Sequence, residues 1–464
     1  MWPYARRFLN FALTAAEWKI PFNHMESTMK SFLRLSRSTF AFLMLALVIS
    51  GAQHAFAQST IVISEFRFRG SSGGNDEFIE LYNNSDNSVT VVDASPDANT
   101  TTPDGWALVA VNATTTIGTR FVIPNGTVIP ARGHFLAVNT GANGYSRGSY
   151  AAGDQVANPT TGALSGGYGT GIVDGGGIAL FSSANPANLP PTNTANPNPF
   201  RLDAVGFNST QPLFFEGVAL SPAGGITSSS EYSFVRKMTT GVPQDTNSNE
   251  ADFNFIAVVV APSNGRSPIL GAPGPENLSS PVERNAAIKA SLIEPNQPSF
   301  ASPNRVRDPD DPAVQDQPFG SLKIRRRFTN NTDTNVTRLR FRVVNITTLN
   351  SEVTASPQAD LRLLASSNET ITPTTSIGVS SVNGTTLESP TFPFTEGGLN
   401  SSVTVIPPNG SLAPNATIDV QFTLGVEQNG FFRFFVNVEA LPAPTSGVNA
   451  KSANLKRKQT LSKQ

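Results

Sequence analysis

Six cations stand at alternate positions in two neighbouring stretches: Lys323, Arg325 and Arg327, then Arg338, Arg340 and Arg342. Alternate residues of an extended chain share a face. If the two stretches form adjacent strands across the turn Asn330–Asn335, all six lie on one side of a basic hairpin. Like charges facing one another across strands repel. A field of that kind suits an anionic surface or partner, such as an acidic surface polysaccharide or another protein. The bland alternative is that Asp360, Asp419 or Glu439 lies nearby and makes this an ordinary solvated face.

A second group is the run Asp245–Asp252. It places oxygen ligands on Asp245, Asn247 and Asn249 at positions one, three and five, with Asp252 close behind, as calcium loops do. Glu250 stands where such a loop turns sharply on glycine, and Ile256 where the bidentate glutamate belongs. A turn whose side chains cap backbone amides is the competing account. Calcium is the one cofactor the sequence suggests.

Asp76, Glu77 and Glu80 could bind a cation or work as acid and base, but Glu77 and Glu80 have opposite parity on a strand and should face opposite sides. His134 is the only histidine beyond residue 57. It shares a strand face with Leu136 and Val138, which points to a structural or surface role rather than a general base. The Gly-rich run 166–177 carries neither glycine pattern that cradles phosphate. No catalytic constellation emerges.

The elements that must position these residues are short strands. Charged residues are scarce, while Gly, Pro, Ser, Thr and Asn are abundant and Phe numbers 31. That mix suits turn-rich β-structure. The first 57 residues read as a leader, with Lys30, Arg34 and Arg37 before the apolar run Thr39–Gly51 and a small-x-small cleavage site at Ala55–Ala57. The apolar run is short for a bilayer span, so cleavage before Gln58 is expected, with export to the periplasm, cell surface or exterior and no membrane span in the mature chain. The leader takes six basic and two acidic residues from totals of 33 and 34, leaving a net charge of −5. That balance argues against nucleic-acid binding by the whole protein. The chain has no cysteine, so no disulfide can hold an exported fold together and no lipid can anchor it through a thiol.

Period-two patterning fills Ile61–Arg69, Asn75–Val91 and Asp104–Ala110, with strands also expected in Phe121–Pro130 and Ala131–Asn139. Ile63-Ser64-Glu65, the run Asp76–Asn83, Gly105-Trp106-x-Leu108, the Ile-Pro-x-Gly-Thr-x-Ile-Pro segment, Gly177–Phe181 and Leu202–Phe207, taken in order, resemble the lamin-tail domain. The likeness covers about residues 59–210, with a family-like tail to about 275. It implies an immunoglobulin-like β-sandwich of secreted bacterial proteins, with Glu65, Glu77, Glu80 and Trp106 on the family's recurrent positions. It also implies possible company with nucleases or phosphatases, although such enzymes need a His/Asp/Asn metal set that one histidine does not supply.

The expected organisation is therefore all-β: two immunoglobulin-like sandwiches at 58–275 and 319–445, a Pro/Asp-rich linker at 276–318, and a basic disordered tail at 446–464. Tyr232 and Phe234 are expected on an edge strand, and Trp106 as a core anchor with Leu108, Ile79 and Leu81. The expected role is non-enzymatic binding or structure at the cell surface or outside the cell. The alternatives are an accessory module of a secreted hydrolase and a calcium-dependent adhesive or matrix protein.

Overall fold

Alternating apolar and polar residues become paired strands throughout. The computed structural model describes residues 60–442 apart from 99–103, 112–116, 146–149, 155, 158–163, 166, 190–197, 239–240, 260–264, 315, 352–355, 373–379 and 389–395. The expected leader (1–57) and the expected basic tail (446–464) fall outside the described residues. The chain is all-β, and among the described residues no helix is long and apolar enough to cross a membrane.

The first sandwich packs two sheets. One contains β1 (Ile61–Arg67), β2 (Phe78–Asn83), β5 (His134–Asn139), β8 (Tyr232–Arg236) and β9 (Phe253–Ala257), in the order β5-β2-β1-β8-β9, with two-residue strands at each edge. The other holds β3 (Gly105–Val111), β4 (Ile117–Pro124), β6 (Gly177–Phe181) and β7 (Arg201–Gly206), in the order β7-β6-β3-β4. Between them lie Ile61, Ile63, Phe66, Phe68, Ile79 and Leu81 from one side and Trp106, Leu108, Phe121, Ile178 and Val205 from the other. Trp106 is buried as expected, and its indole N–H donates to the Val92 carbonyl at 3.0 Å.

Strict alternation would send Ile63 and Phe66 to opposite faces. The pairing of β1 with β2 slips by one residue between Ile63 and Glu65, a bulge that returns Phe66 to the core. The same slip sets Glu65 directly opposite Glu80 on the outer face. Tyr232 and Phe234, expected on an edge, lie on an interior strand instead, because β9 extends the sheet beyond them.

The second sandwich also packs two sheets. The first is ordered β10 (Val282–Glu283), β18 (Phe434–Pro442), β14 (Val336–Ile346), β16 (Ser402–Val405) and Thr386–Leu387. The second is ordered β11 (Ile288–Ser291), β13 (Ser321–Asn330), β17 (Thr417–Gln428) and β15 (Asp360–Leu364), with β12 (Arg305–Asp308) also pairing on β13. Leu339, Phe341, Val403 and Val438 meet Phe328, Leu361, Val420 and Phe422 in its core. Much of the stretch 276–318 is therefore not a free linker. It supplies β10, β11 and β12, whose backbone groups complete ladders that the later strands leave open.

The two sandwiches share a corner device. Asn83 opens the run Asn-Asn-Ser-Asp-Asn and Asn330 opens Asn-Asn-Thr-Asp-Thr. Each is fully buried. Each amide donates to carbonyls on both sides of its turn, Asn87 and Pro130 in the first and Thr334 and Leu412 in the second. Each side-chain oxygen accepts from the backbone N–H two residues on, the local bond that favours Asn in turns.

Candidate functional site: a buried ion cluster between the sandwiches

Where the sandwiches meet, charged side chains from both are driven out of water together. On the first, Glu80 of β2 and Glu65 of β1 point away from the core because their neighbours Ile79 and Phe66 point into it. His134, at the start of β5, stands beside Tyr82. On the second, Arg340 and Arg342 of β14 and Glu439 of β18 occupy the outer face of a sheet whose inner face carries Leu339, Phe341 and Val438. Glu276, in the segment that joins the two sandwiches, lies between these groups. All seven residues are buried.

The contacts are continuous. The Glu276 backbone N–H donates to Glu80 Oε2 at 2.6 Å, and its carboxylate faces His134 Nε2 at 2.9 Å, Arg342 Nη2 at 2.9 Å and Arg340. His134 Nδ1 lies 3.1 Å from Glu80 Oε1. Glu439 pairs with Arg340, and its other oxygen accepts from Arg342 Nε at 3.1 Å. Arg342 Nη1 donates to Asn400 Oδ1 at 2.9 Å, and Asn400 Nδ2 donates to Glu65 Oε2 at 3.0 Å. Asn400 does this from a positive φ of 64°, a conformation asparagine tolerates better than most residues. Glu65 Oε1 accepts from Ser233 Oγ at 2.6 Å and from the Gly274 N–H at 3.0 Å. A cavity of about 40 Å³ touches the cluster, room for a single water.

The electrostatics divide the acids. Burial pushes Glu65 up to about 7, and the charge of Glu80 opposite adds to the rise, while Arg342, Ser233 and Gly274 oppose it. Burial would raise Glu439 too, but Arg340 and Arg342 outweigh it and hold the carboxyl below the ordinary range. Desolvation lowers Arg340, although an arginine remains charged at any physiological pH.

Glu80, His134 and Glu276 bring one ligand atom each close enough to consider a metal centre. The donor chemistry speaks for an ion-pair weld instead. Both imidazole nitrogens already face carboxylate oxygens, and two guanidinium groups hold Glu276 where a cation would stand.

The six cations singled out in the sequence do not form one face. β13 and β14 follow each other in the chain but belong to opposite sheets, so the expected basic hairpin does not exist. Each cation also has an acid. Lys323 Nζ is 2.8 Å from Glu369, which Arg325 shares, and Arg327 grips Asp419 with two bonds at 2.7 and 2.8 Å. Arg338 meets Glu388, and Arg340 and Arg342 belong to the buried cluster. Asp419 and Glu439 thus play the compensating role, whereas Asp360 serves Arg362.

The oxygens of 245–252 do not converge on an open point. Asp252 Oδ2 accepts from the N–H groups of Thr246 and Ser248 at 2.8 and 3.3 Å and lies 3.5 Å from Arg236 Nη1. Asn249 Oδ1 accepts from the N–H groups of Gly206 and Glu216 at 3.1 and 3.2 Å. Asp245 turns back to the N–H of Asn247, whose φ is 57°, and toward Arg236 at 3.7 Å. Arg236, fully buried, also binds Asp203 at 2.7 and 2.8 Å and the Ile63 carbonyl at 2.7 Å. The loop is stapled inward around a guanidinium, the arrangement expected of a capping turn.

Asp76, Glu77 and Glu80 separate as well. Asp76 pairs with buried Arg67, Glu77 accepts from the Ile172 N–H at 2.7 Å and Asn139 at 3.0 Å, and Glu80 joins the junction. Burial pushes Glu77 up to about 8. Sequence reasoning missed Glu276 and Asn400, and nothing in their local pattern marks them. No protein-family model, curated protein or solved structure matches the chain.

Proposed function

We propose that this is an exported, non-enzymatic binding or structural protein whose first sandwich is a lamin-tail-like, immunoglobulin-like module, acting at the cell surface or outside the cell. The carrying observation is the fate of His134. The one histidine after the leader is buried between Glu80 and Glu276, with neither ring nitrogen free to meet a substrate. The carboxylates nearest it are committed to arginines, Asn400 and backbone amides, which favours a welded two-sandwich body over an active site.

The test is to separate the exported fraction of the producing cells and determine the N-terminus of the protein by mass spectrometry. An N-terminus within a residue or two of Gln58 is expected; an intact Met1 or Met29 in that fraction overturns export by a cleaved leader. Melting the purified protein with calcium and with chelator addresses the adhesive alternative, and equal melting temperatures are expected because the 245–252 oxygens already serve amides and Arg236. Assays on phosphomonoester and phosphodiester substrates address the hydrolase alternative, with no turnover expected.

A further inference from the structure

The inner face of β13 reads Leu322, Ile324, Arg326, Phe328. Three of these are the apolar residues a sandwich core requires, and the fourth is an arginine. β13 lies between β11 or β12 on one side and β17 on the other, so this is no inward charge guarding an exposed edge. Its cross-strand neighbour is Val420, fully buried in the core. A cation at such a position needs a reason, because desolvating it is costly without a paired charge.

The sheets part at this end. Alternation puts Phe432, Phe434 and Val436 on the side of Val438, yet these three remain half-exposed while Val438 is buried. The gap is a groove of about 470 Å³, within the span of small-molecule sites. Its apolar walls include Phe328 and Phe422 from one sheet and Phe434 and Val436 from the other, with Phe422 and Phe434 rings 5.9 Å apart between centroids. Arg305 joins Arg326 in the lining, its guanidinium 5.8 Å from the centre of the Phe432 ring and 5.9 Å from that of Phe300. Among the described residues the Arg326 guanidinium donates to the carbonyls of Asn304 and Arg325, at 3.2 and 2.7 Å. Among the described residues no carboxylate lies within 4 Å of either guanidinium, in contrast to all six cations discussed above. Desolvation and the charge of Arg305 lower the pKa of Arg326, as a pair awaiting an anion would.

We infer that this groove binds an apolar monocarboxylate of the fatty-acid type, its chain between the two sheets and its carboxylate on Arg305 and Arg326. The charge selects an anion, and two adjacent planar guanidinium groups suit a carboxylate's two oxygens. The aromatic walls select an apolar body, which a uronate or inorganic phosphate lacks. This site goes beyond the export reading and does not depend on it.

The experiment is calorimetric titration of the whole purified protein with dodecanoate below its micelle concentration, alongside butyrate and decyltrimethylammonium. One dodecanoate per chain is expected, with butyrate (head without chain) and the cationic amphiphile (chain without anion) at least tenfold weaker. Arg326→Gln should weaken dodecanoate at least tenfold and Arg305→Gln several-fold. Arg326→Lys, which keeps the charge but loses the fork, should fall between wild type and Arg326→Gln. Arg338→Gln, outside the groove, should leave affinity unchanged, and melting curves should confirm that each variant folds. Absence of dodecanoate binding, equal binding of the cationic amphiphile, or unaltered affinity in folded Arg326→Gln would overturn the inference. None of these outcomes bears on where the N-terminus of the exported protein lies.

Discussion

Two arginine pairs of this chain have opposite fates. Arg340 and Arg342 sit under the first sandwich, where Glu276 and Glu439 meet them at close range. Arg305 and Arg326 sit in a half-open groove where no described carboxylate reaches them. The residue type is the same, and all four lie on or beside strands of one sandwich. What differs is whether chain from a distant part of the sequence delivers an acid. A buried guanidinium with its carboxylate is structural, because removing either partner strands the other. A partly buried guanidinium without one is available to a ligand.

The largest expected effect tests the welded side. Glu439→Ala leaves Arg340 and Arg342 with Glu276 and, 3.9 Å from Arg340, Glu388 as their remaining ion-pair partners, and should destabilise the protein by about 3–5 kcal/mol, the range for breaking a buried pair. Chemical denaturation reads this directly, and a loss under about 1 kcal/mol would mean that water replaces the carboxylate easily.

Trp106→Ala provides the apolar counterpart within the first core. Loss of a buried indole should also cost about 3–5 kcal/mol. If it costs far more than Glu439→Ala, packing outweighs the junction in holding the unit together.

Titration separates the two regions further. Glu65, Glu77 and Asp154 have folded-state pKa values raised by burial to about 7, 8 and 6. A raised acid keeps its proton in the folded state after the unfolded chain has released it. The stability it contributes is therefore complete below the ordinary carboxylate range and is lost as pH rises through the folded value. Glu439, Asp93 and Glu369 are lowered and act in the opposite sense, but only as pH falls through their depressed values. Stability should consequently decline between pH 5 and pH 9, measured as a falling melting temperature. Glu77→Gln should flatten part of that decline, whereas Arg326→Gln should leave its slope alone.

The smallest effect belongs to the groove. Arg305→Gln and Arg326→Gln should each change stability by no more than about 1 kcal/mol, since neither has a described carboxylate to lose and Arg326 gives up hydrogen bonds to two carbonyls. A gain is the more natural sign, since two like charges are separated. A loss approaching that of Glu439→Ala would place these arginines with the structural pair and remove the contrast.

The strands were legible because alternation is local. Leu339, Phe341 and Val343 announce a buried face whatever lies opposite, and Trp106 beside Leu108 announces a core anchor. Arg326 shares the parity of Leu322, Ile324 and Phe328 and breaks that pattern, but the alternating cations Lys323, Arg325 and Arg327 beside it masked the break. The bulge after Ile63 was legible only in part: Ile61 and Ile63 fall out of phase with Phe66 and Phe68, which requires a slip somewhere, but not at a stated residue.

The sequence by itself determined the strands, the absence of disulfides and the scarcity of histidine, because each is read from residue types and their spacing along the chain. Tertiary structure alone decided that β13 and β14 part into opposite sheets, that parts of the joining stretch 276–318 pair into the second sandwich, and that Glu65, Glu80, Glu276, Glu439 and His134 assemble into one cluster. The physical reason is range. Side-chain alternation acts over two residues, whereas compensation of a buried charge acts over a few ångströms of space, and the groups that meet at this junction are up to 374 positions apart in the chain.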